Sequence, residues 1–456
     1  MDIDYSRELK ELFNAWHDCF LTKNPHAKNR IVILGDDAEA IKTVVQQFLH
    51  QRKRKTRYFS FACLDNAHAL RAFAKAFELE TESPETWEAA GCAFQKKYSS
   101  EVLLVFFDDL EFFSEQDAFR KACFEFIAKK NIIVAETSRC RREDWKPEPM
   151  HHFSVFIGCR TLSDLCKLFP DYAKPDIVRL YSMTGGISTI LNELNADRSF
   201  EDNLRTLLRF DSAFTKYLPE WLRAYFRTPE SYYPILCSMA RGKRRLSEIA
   251  HDVGFPNNKC LNYLQALMRA GLVRTETAFG NRQTAYLLTN SYIAAWCLYV
   301  YERRSEMISD PEVFLQEVMS AVDQQLAIPA FRSACFRYLE YSTREYLDPF
   351  SGKIFYSTNP EVYRDVIIEL GDGSSVLLDY CTQKEDHSLV AVIPDDLNRR
   401  FTKDDIENIR YAVKRFDKLY DTEIVIFSVN RFSDWCVHQA SIDCYLHFVT
   451  AERLKY

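Results

Sequence analysis

Apolar residues recur at Leu9, Leu12, Phe13, Trp16 and Phe20, the spacing of one helix face, and predict an amphipathic helix over 7–22. Residues 31–34 (Ile-Val-Ile-Leu) are apolar without a break and lead into a helical pattern over 41–50. An unbroken apolar run of that length, next to a helix, reads as a parallel strand buried on both faces. The alternation continues with strands at 58–63, 102–107, 132–135 and 153–157 and helices at 66–79, 84–98, 115–129 and 161–169. A further element, 181–195, contains Gly185-Gly186. Strands alternating with helices predict a doubly wound α/β domain over 1–195.

From about residue 196 the pattern is mostly helical, and Thr228-Pro229 has the form of a helix start with a Thr cap and Pro at the first position. Residues 230–290 read as helix, helix, turn, helix, strand, hairpin, strand, within a second unit of 196–305. A third unit, 306–456, opens with helix over 310–345 and returns to α/β. Its strands fall at 362–370, 375–381, 388–393, 423–428 and 443–448, with a helix over 403–420.

Composition sets bounds on this picture. A chain of 456 residues is long enough for about three domains. With 47% apolar and 27% charged residues each can bury a core. Only 12 glycines count against loops needing many positive-φ positions. The net charge of −6 excludes binding of a polyanion over the whole surface and leaves local basic patches. The run Gln51-Arg52-Lys53-Arg54-Lys55-Thr56-Arg57 reads first as a solvated helix end whose cations offset the dipole. The 14 cysteines include no CxxC, and Cys140, His151, His152 and Cys159 lack metal-ligand spacing. Buried thiols in a reducing cytoplasm, with no signal peptide and no membrane span, are the expectation.

The segment Ile31-Val-Ile-Leu-Gly-Asp-Asp-Ala-Glu-Ala-Ile-Lys42-Thr43 has the order of a phosphate-binding loop: strand, glycine, Lys-Thr, helix. In such a loop Gly35 curves the chain, Lys42 meets phosphates and Thr43 meets Mg²⁺. Here Gly35 and Lys42 stand one residue too far apart, and Ala40-Ile41 replaces the second glycine. Asp36, Asp37 and Glu39 are expected to repel a triphosphate, each charge pair costing on the order of 1–4 kcal/mol at ~4 Å. The strand 103–107 ends in Asp108-Asp109, an acid pair suited to hold Mg²⁺ through water (Asp108) and to orient the attacking water (Asp109). Thr137 and Ser138 end the next strand, where polar residues would reach a γ-phosphate.

Four further segments carry a resemblance. They are Tyr5-Ser-Arg-Glu-Leu9, Phe107-Asp-Asp-Leu-Glu-Phe-Phe113, Arg160-Thr-Leu162 through Phe169-Pro-Asp-Tyr172, and Leu180-Tyr-Ser-Met-Thr-Gly-Gly-Ile187. Over nearly its whole length the chain resembles the archaeal-type, AAA-like ATPases, which join a P-loop domain, a winged helix and a domain similar to PD-(D/E)xK nucleases. The resemblance implies ATP and Mg²⁺ as ligands, and Arg139, Arg141 and Arg142 as residues acting across subunits. The chain departs from the family's basic P-loop, since its own is acidic and lacks the glycine before Lys42.

Within the second unit, 247–254 reads as a short helix, 256–271 as a second, and 273–278 with 284–288 as a hairpin around Gly280-Asn281. This is a winged helix. Asn257, Asn258, Lys259, Asn262, Tyr263 and Gln265 lie on the outward face of the second helix and suit base edges. Lys243, Arg244, Arg245, Arg274 and Arg282 suit phosphates. In the third unit Glu340 and Asp379 fit a nuclease metal site. The next strand, 389–394, supplies neither the second acid nor the Lys; Asp395 and Asp396 come too late and Lys384 lies in the turn. Nuclease activity is therefore not expected. Two readings remain. One is a noncatalytic family member with a degenerate nucleotide site that binds DNA through the winged helix, or a protein partner or a second copy of itself. The other is an ATPase using Lys42, Thr43, Asp108 and Asp109 in an unorthodox loop.

Overall fold

The computed structural model describes residues 3–21, 30–35, 37–51, 56–61, 65–79, 84–98, 103–108, 110, 113, 115–127, 132–138, 153–276, 284–347, 354–356, 361–371, 373–383, 388–416 and 422–455. The fold is mixed α/β, with one parallel sheet and a separate mixed sheet. The first sheet comprises β1 (Arg30–Leu34), β2 (Thr56–Ser60), β3 (Leu103–Asp108), β4 (Ile132–Ser138) and β5 (Phe153–Phe156). Its order is β2-β3-β4-β1-β5, and all pairs are parallel.

The strands bury both faces, which is why they read as continuous apolar runs. Ile31, Ile33, Leu104, Phe106, Ile133 and Ala135 pack with the helices Ser6–Leu21 and Ala38–His50. Phe59, Phe61, Leu103, Val105, Phe107 and Val134 face the helices Asn66–Ala76, Trp87–Tyr98 and Gln116–Ile127. That side is strongly aromatic: Phe61 stands 4.7 Å from Phe119 and Phe73 5.5 Å from Trp87, centroid to centroid. By the same alternation Tyr58, Asp108 and Thr137 fall on the face covered by Ala38–His50.

The segment expected to be a winged helix comprises the helices Leu246–Asp252 and Asn257–Arg269 and the antiparallel hairpin β6 (Val273–Glu276) and β7 (Ala285–Leu288). Two short strands, β8 (Glu345–Leu347) and β9 (Ile354–Tyr356), form a separate pair. The second sheet runs β10 (Glu361–Glu369), β11 (Ser375–Gln383), β12 (Ser388–Val392), β13 (Thr422–Ser428) and β14 (Leu446–Thr450) in sequential order. Its first pairs are antiparallel and its last two parallel. The helix Lys403–Phe416 buries Ile406, Ile409 and Val413 against one face.

One apolar cluster extends from Ile3 through the helices Leu246–Asp252 and Asn257–Arg269 to Leu454. Polar contacts follow the same path. Arg179 bridges Asp323 with Nε–Oδ1 at 2.6 Å and also meets Asp176, while Lys174 pairs with Glu452 at 2.8 Å.

Several sequence expectations change. The helix after β1 begins at Ala38, not 41, because Asp37 caps it. Residues 181–195 are not one element. The helix Lys174–Thr184 ends at Gly185 and Gly186, with φ of 59° and 75°, and a short helix restarts at Ser188. Thr228 makes no side-chain cap; Pro229 opens a 3₁₀ turn and the helix Tyr233–Ala240 follows. The helix Asp434–Ile442 had no periodic signal, since only Cys436 of it is buried. No helix among the described residues is long and apolar enough to cross a membrane.

Candidate functional site

The loop after β1 sits at the carboxyl edge of the parallel sheet, where open α/β folds bind ligands. Gly35 is glycine for a steric reason. A Cβ there would lie 1.8 Å from the Ile157 carbonyl oxygen, because the chain leaving β5 runs alongside, with Ile157 N–H donating to Leu34 O at 2.7 Å.

Two residues later Asp37 is fully buried. Its extended backbone makes it the N-cap of Ala38–His50. Oδ1 accepts from Ala40 N–H at 3.0 Å and Oδ2 from Ser188 N–H at 2.7 Å. A helix start offers unpaired N–H groups and the positive end of its dipole, which is why it attracts anions. Here that anion is a carboxylate of the chain itself. Of the three acids expected to repel a phosphate, Asp37 therefore points inward as a cap. Glu39 is exposed and sits 3.8 Å from Lys42 Nζ. Asp36 lies outside the described residues.

Lys42 is the fifth residue of the helix, displaced about 6 Å along the axis from its start at 1.5 Å per residue. Its side chain is exposed, and Thr43 beside it is half-buried. Three of the four sequence segments that carry the resemblance, those of Tyr5, Arg160 and Gly186, meet beside Asp37. Arg160 Nη1 pairs with Glu8 at 2.7 Å in a largely buried bridge, and the guanidinium lies 4.8 Å from the Tyr5 ring centroid. Arg160 N–H donates to Gly186 O at 2.7 Å, and a Cβ on Gly186 would lie 1.9 Å from Arg160 O. Burial pushes the Tyr5 phenol above its ordinary value, and the nearby Asp37 carboxylate adds to the effect.

Across the sheet edge, Asp108 ends β3. The Tyr58 hydroxyl on β2 donates to Oδ2 and the Thr137 hydroxyl on β4 donates to Oδ1. The structure thus brings Asp108 and Thr137 together. It places Ser138 on β4 opposite Leu34 of β1. Asp109, Arg139, Arg141, Arg142, Cys140, His151 and His152 lie outside the described residues, as do residues 52–55. Tyr58 and Ser188 carry no local signal in the sequence. Their roles depend on strand register and on a contact between residues 151 positions apart, which no local pattern displays.

On the helix Asn257–Arg269, the residues Asn257, Asn258, Lys259, Asn262, Gln265 and Arg269 are exposed, while Cys260, Leu264 and Leu267 are buried. Lys259 Nζ stands 4.1 Å from the Phe255 ring centroid. Lys243, Arg244 and Arg245 are exposed in the turn before Leu246–Asp252, and Glu248 caps that turn by accepting from the Arg244 and Arg245 N–H groups. Arg274 is 4.0 Å from Glu276, which also meets Arg364 of β10 at 3.0 Å. Gly280, Asn281 and Arg282 lie outside the described residues.

In the third unit the two acids expected near a metal are held by arginines instead. Glu340 Oε1 meets Arg364 Nη2 at 3.0 Å. Asp379, within β11, meets Arg332 Nη1 at 2.6 Å and accepts from Ile393 N–H at 2.7 Å. Arg332 also pairs with Asp365. Lys384 lies outside the described residues. No group of three metal-ligating side chains occurs among the described residues.

Burial pushes the Asp379 carboxyl up from 3.8 to about 6, with Arg332 pulling the other way. The folded chain therefore holds this proton more tightly than the unfolded chain. The stabilising contribution is full below about pH 4 and is lost as pH rises through about 6. We expect wild type to lose on the order of 3 kcal/mol relative to Asp379→Asn between those limits. Urea unfolding of both proteins across that range measures the difference, and parallel curves would refute it.

No family model matches the chain, and no curated protein matches it. Among solved structures it is similar to ORC of Drosophila bound to DNA, at 10% identity and a TM-score of 0.28, covering 62% of this chain and 92% of that one. It is similar to protein VC1899 from Vibrio cholerae at 12% identity and a TM-score of 0.20, over 94% and 95% of the two chains. A Drosophila ORC structure with AT-rich DNA and Cdc6 gives 10% identity and a TM-score of 0.23, over 65% and 93%. Scores this low assign neither fold nor function, so the site is read from its own residues.

Proposed function

We propose that the chain is a non-catalytic, DNA-binding relative of the archaeal-type AAA-like ATPases, in which the former nucleotide site has become a structural joint. Its parts are a P-loop-type unit (1–195), a winged-helix unit (196–305) and a nuclease-like unit (306–456). The observation that carries this reading is the Asp37 carboxylate on Ala40 N–H and Ser188 N–H. A buried anion at the helix start takes up the Ala40 N–H that a phosphate would use and brings a negative charge there, and Lys42 is a full turn away. The residues present therefore do not fit a triphosphate at Gly35, Lys42 and Thr43.

DNA binding rests on the exposed face of Asn257–Arg269 and on Lys243, Arg244 and Arg245 in the turn before the preceding helix. Cations that meet phosphates release counterions, so binding weakens with salt. For about four phosphate contacts, a duplex should bind roughly a hundredfold more weakly at about 200 mM than at about 50 mM salt. Fluorescence anisotropy with the full chain and a labelled duplex measures this. The double variant Lys243→Ala, Arg244→Ala should lower affinity and flatten the salt slope. Unchanged binding by that variant would exclude the winged helix as the contact.

The hydroxyls of Tyr58 and Thr137 around Asp108 support a second reading, in which Mg-ATP still binds beside Asp108, Asp109, Thr137 and Ser138.

A further inference from the structure

The second helix of the winged unit, Asn-Asn-Lys-Cys-Leu-Asn-Tyr-Leu-Gln-Ala-Leu-Met-Arg, contains no acid. Its buried stripe, Cys260, Leu264 and Leu267, fixes which side faces out. Asn258, Asn262, Gln265 and Arg269 are spaced by four, three and four residues, which places them in one row, and all are exposed. From Asn258 to Gln265 is about 10.5 Å along the axis, or about three base-pair steps of 3.4 Å.

The chemistry of that row is amide. An amide side chain offers a donor and an acceptor side by side, which matches N7 and N6 of adenine in the major groove; guanine is matched by Arg or Lys. Two features sharpen the match. Lys259, the one cation early in the helix, has its ammonium over the Phe255 ring. Asn258 Oδ1 accepts from Lys259 N–H at 2.8 Å, so the acceptor of this amide is engaged within the helix. Asn262 and Gln265 are the two amides one turn apart on the open row.

We propose that Asn262 and Gln265 read adenines at neighbouring positions of duplex DNA in the major groove. This rests on the DNA-binding reading above and names the sequence class that it selects. Duplex RNA is excluded as the target, because its deep, narrow major groove does not admit a helix.

The test is selection by the full chain from a pool of randomised duplexes, followed by anisotropy on the selected sequence. Adenines should be enriched at two neighbouring positions of one strand. Asn262→Ala and Gln265→Ala should each lower the preference for the selected over a scrambled duplex by about 5- to 150-fold. The salt slope should stay the same in both, since neither residue meets a phosphate. Circular dichroism of the variants should be that of wild type, as both side chains are exposed. A bound pool without base preference would overturn the proposal, as would guanine enrichment that disappears in Arg269→Ala. Failure of any duplex to bind at low salt would instead overturn the DNA-binding reading itself.

Discussion

Asp37→Ala is expected to destabilise the chain by about 3 kcal/mol. Loss of a helix cap costs about 1 kcal/mol. The Ser188 N–H, buried beside it, loses its acceptor, which costs about 1–3 kcal/mol more. Urea unfolding measures the sum. The variant has a second property that an ordinary cavity mutant lacks. Removing the carboxylate exposes the helix start to external anions, so millimolar inorganic phosphate should restore part of the stability at matched ionic strength. Wild type should show no such gain. A variant that loses stability but ignores phosphate would mean that the place of the carboxylate is not open to a phosphate.

Gly35→Ala should be at least as damaging. The added Cβ would meet the Ile157 carbonyl oxygen at 1.8 Å, and that oxygen belongs to backbone fixed by the bond from Ile157 N–H to Leu34 O. The chain leaving β5 must move away from β1, or the loop must bend. Overpacking costs about 1–3 kcal/mol where side chains can yield, and a backbone neighbour yields less, so a cost of about 3 kcal/mol or more is expected. Thermal unfolding followed by near-ultraviolet circular dichroism would show it. A glycine serving only to curve the chain around a phosphate would give the opposite result, an intact fold with altered ligand affinity.

Much of the architecture was legible because buried parallel strands are apolar on both faces. Residues 31–34, 102–107 and 132–135 needed no partner to be recognised as strands. The helices Leu246–Asp252 and Asn257–Arg269 were legible for a similar reason: Gly254 and Gly271 end them, and their apolar stripes point one way. The helix Asp434–Ile442 is not legible in the sequence because it buries almost nothing and so leaves no stripe.

The candidate site was legible in outline only. Asp36, Asp37 and Glu39 look alike in a sequence, and which of them turns inward depends on where the helix begins. A start at 41 leaves all three in the loop; the observed start at Ala38 makes Asp37 the cap. An Asp followed by Ala-Glu-Ala is a helix-start pattern, so this was the one available signal. The junction of Tyr5, Glu8, Arg160, Gly186 and Ser188 joins the first segment to residues about 150 positions or more further along the chain. It could be suspected only from the order of the segments. The arginines that hold Asp379 and Glu340 come from other elements, so a pair of carboxylates suggestive of a metal site gave no sign of being neutralised.

Calorimetric titration of Mg-ATP into the full-length wild-type chain bears most directly on whether Asp37 has replaced the phosphate. With the helix start capped internally, no saturable heat is expected up to millimolar nucleotide, and Lys42→Ala should behave as wild type does. Saturable binding in the micromolar range that is lost in Lys42→Ala would contradict the replacement and place a nucleotide at this loop.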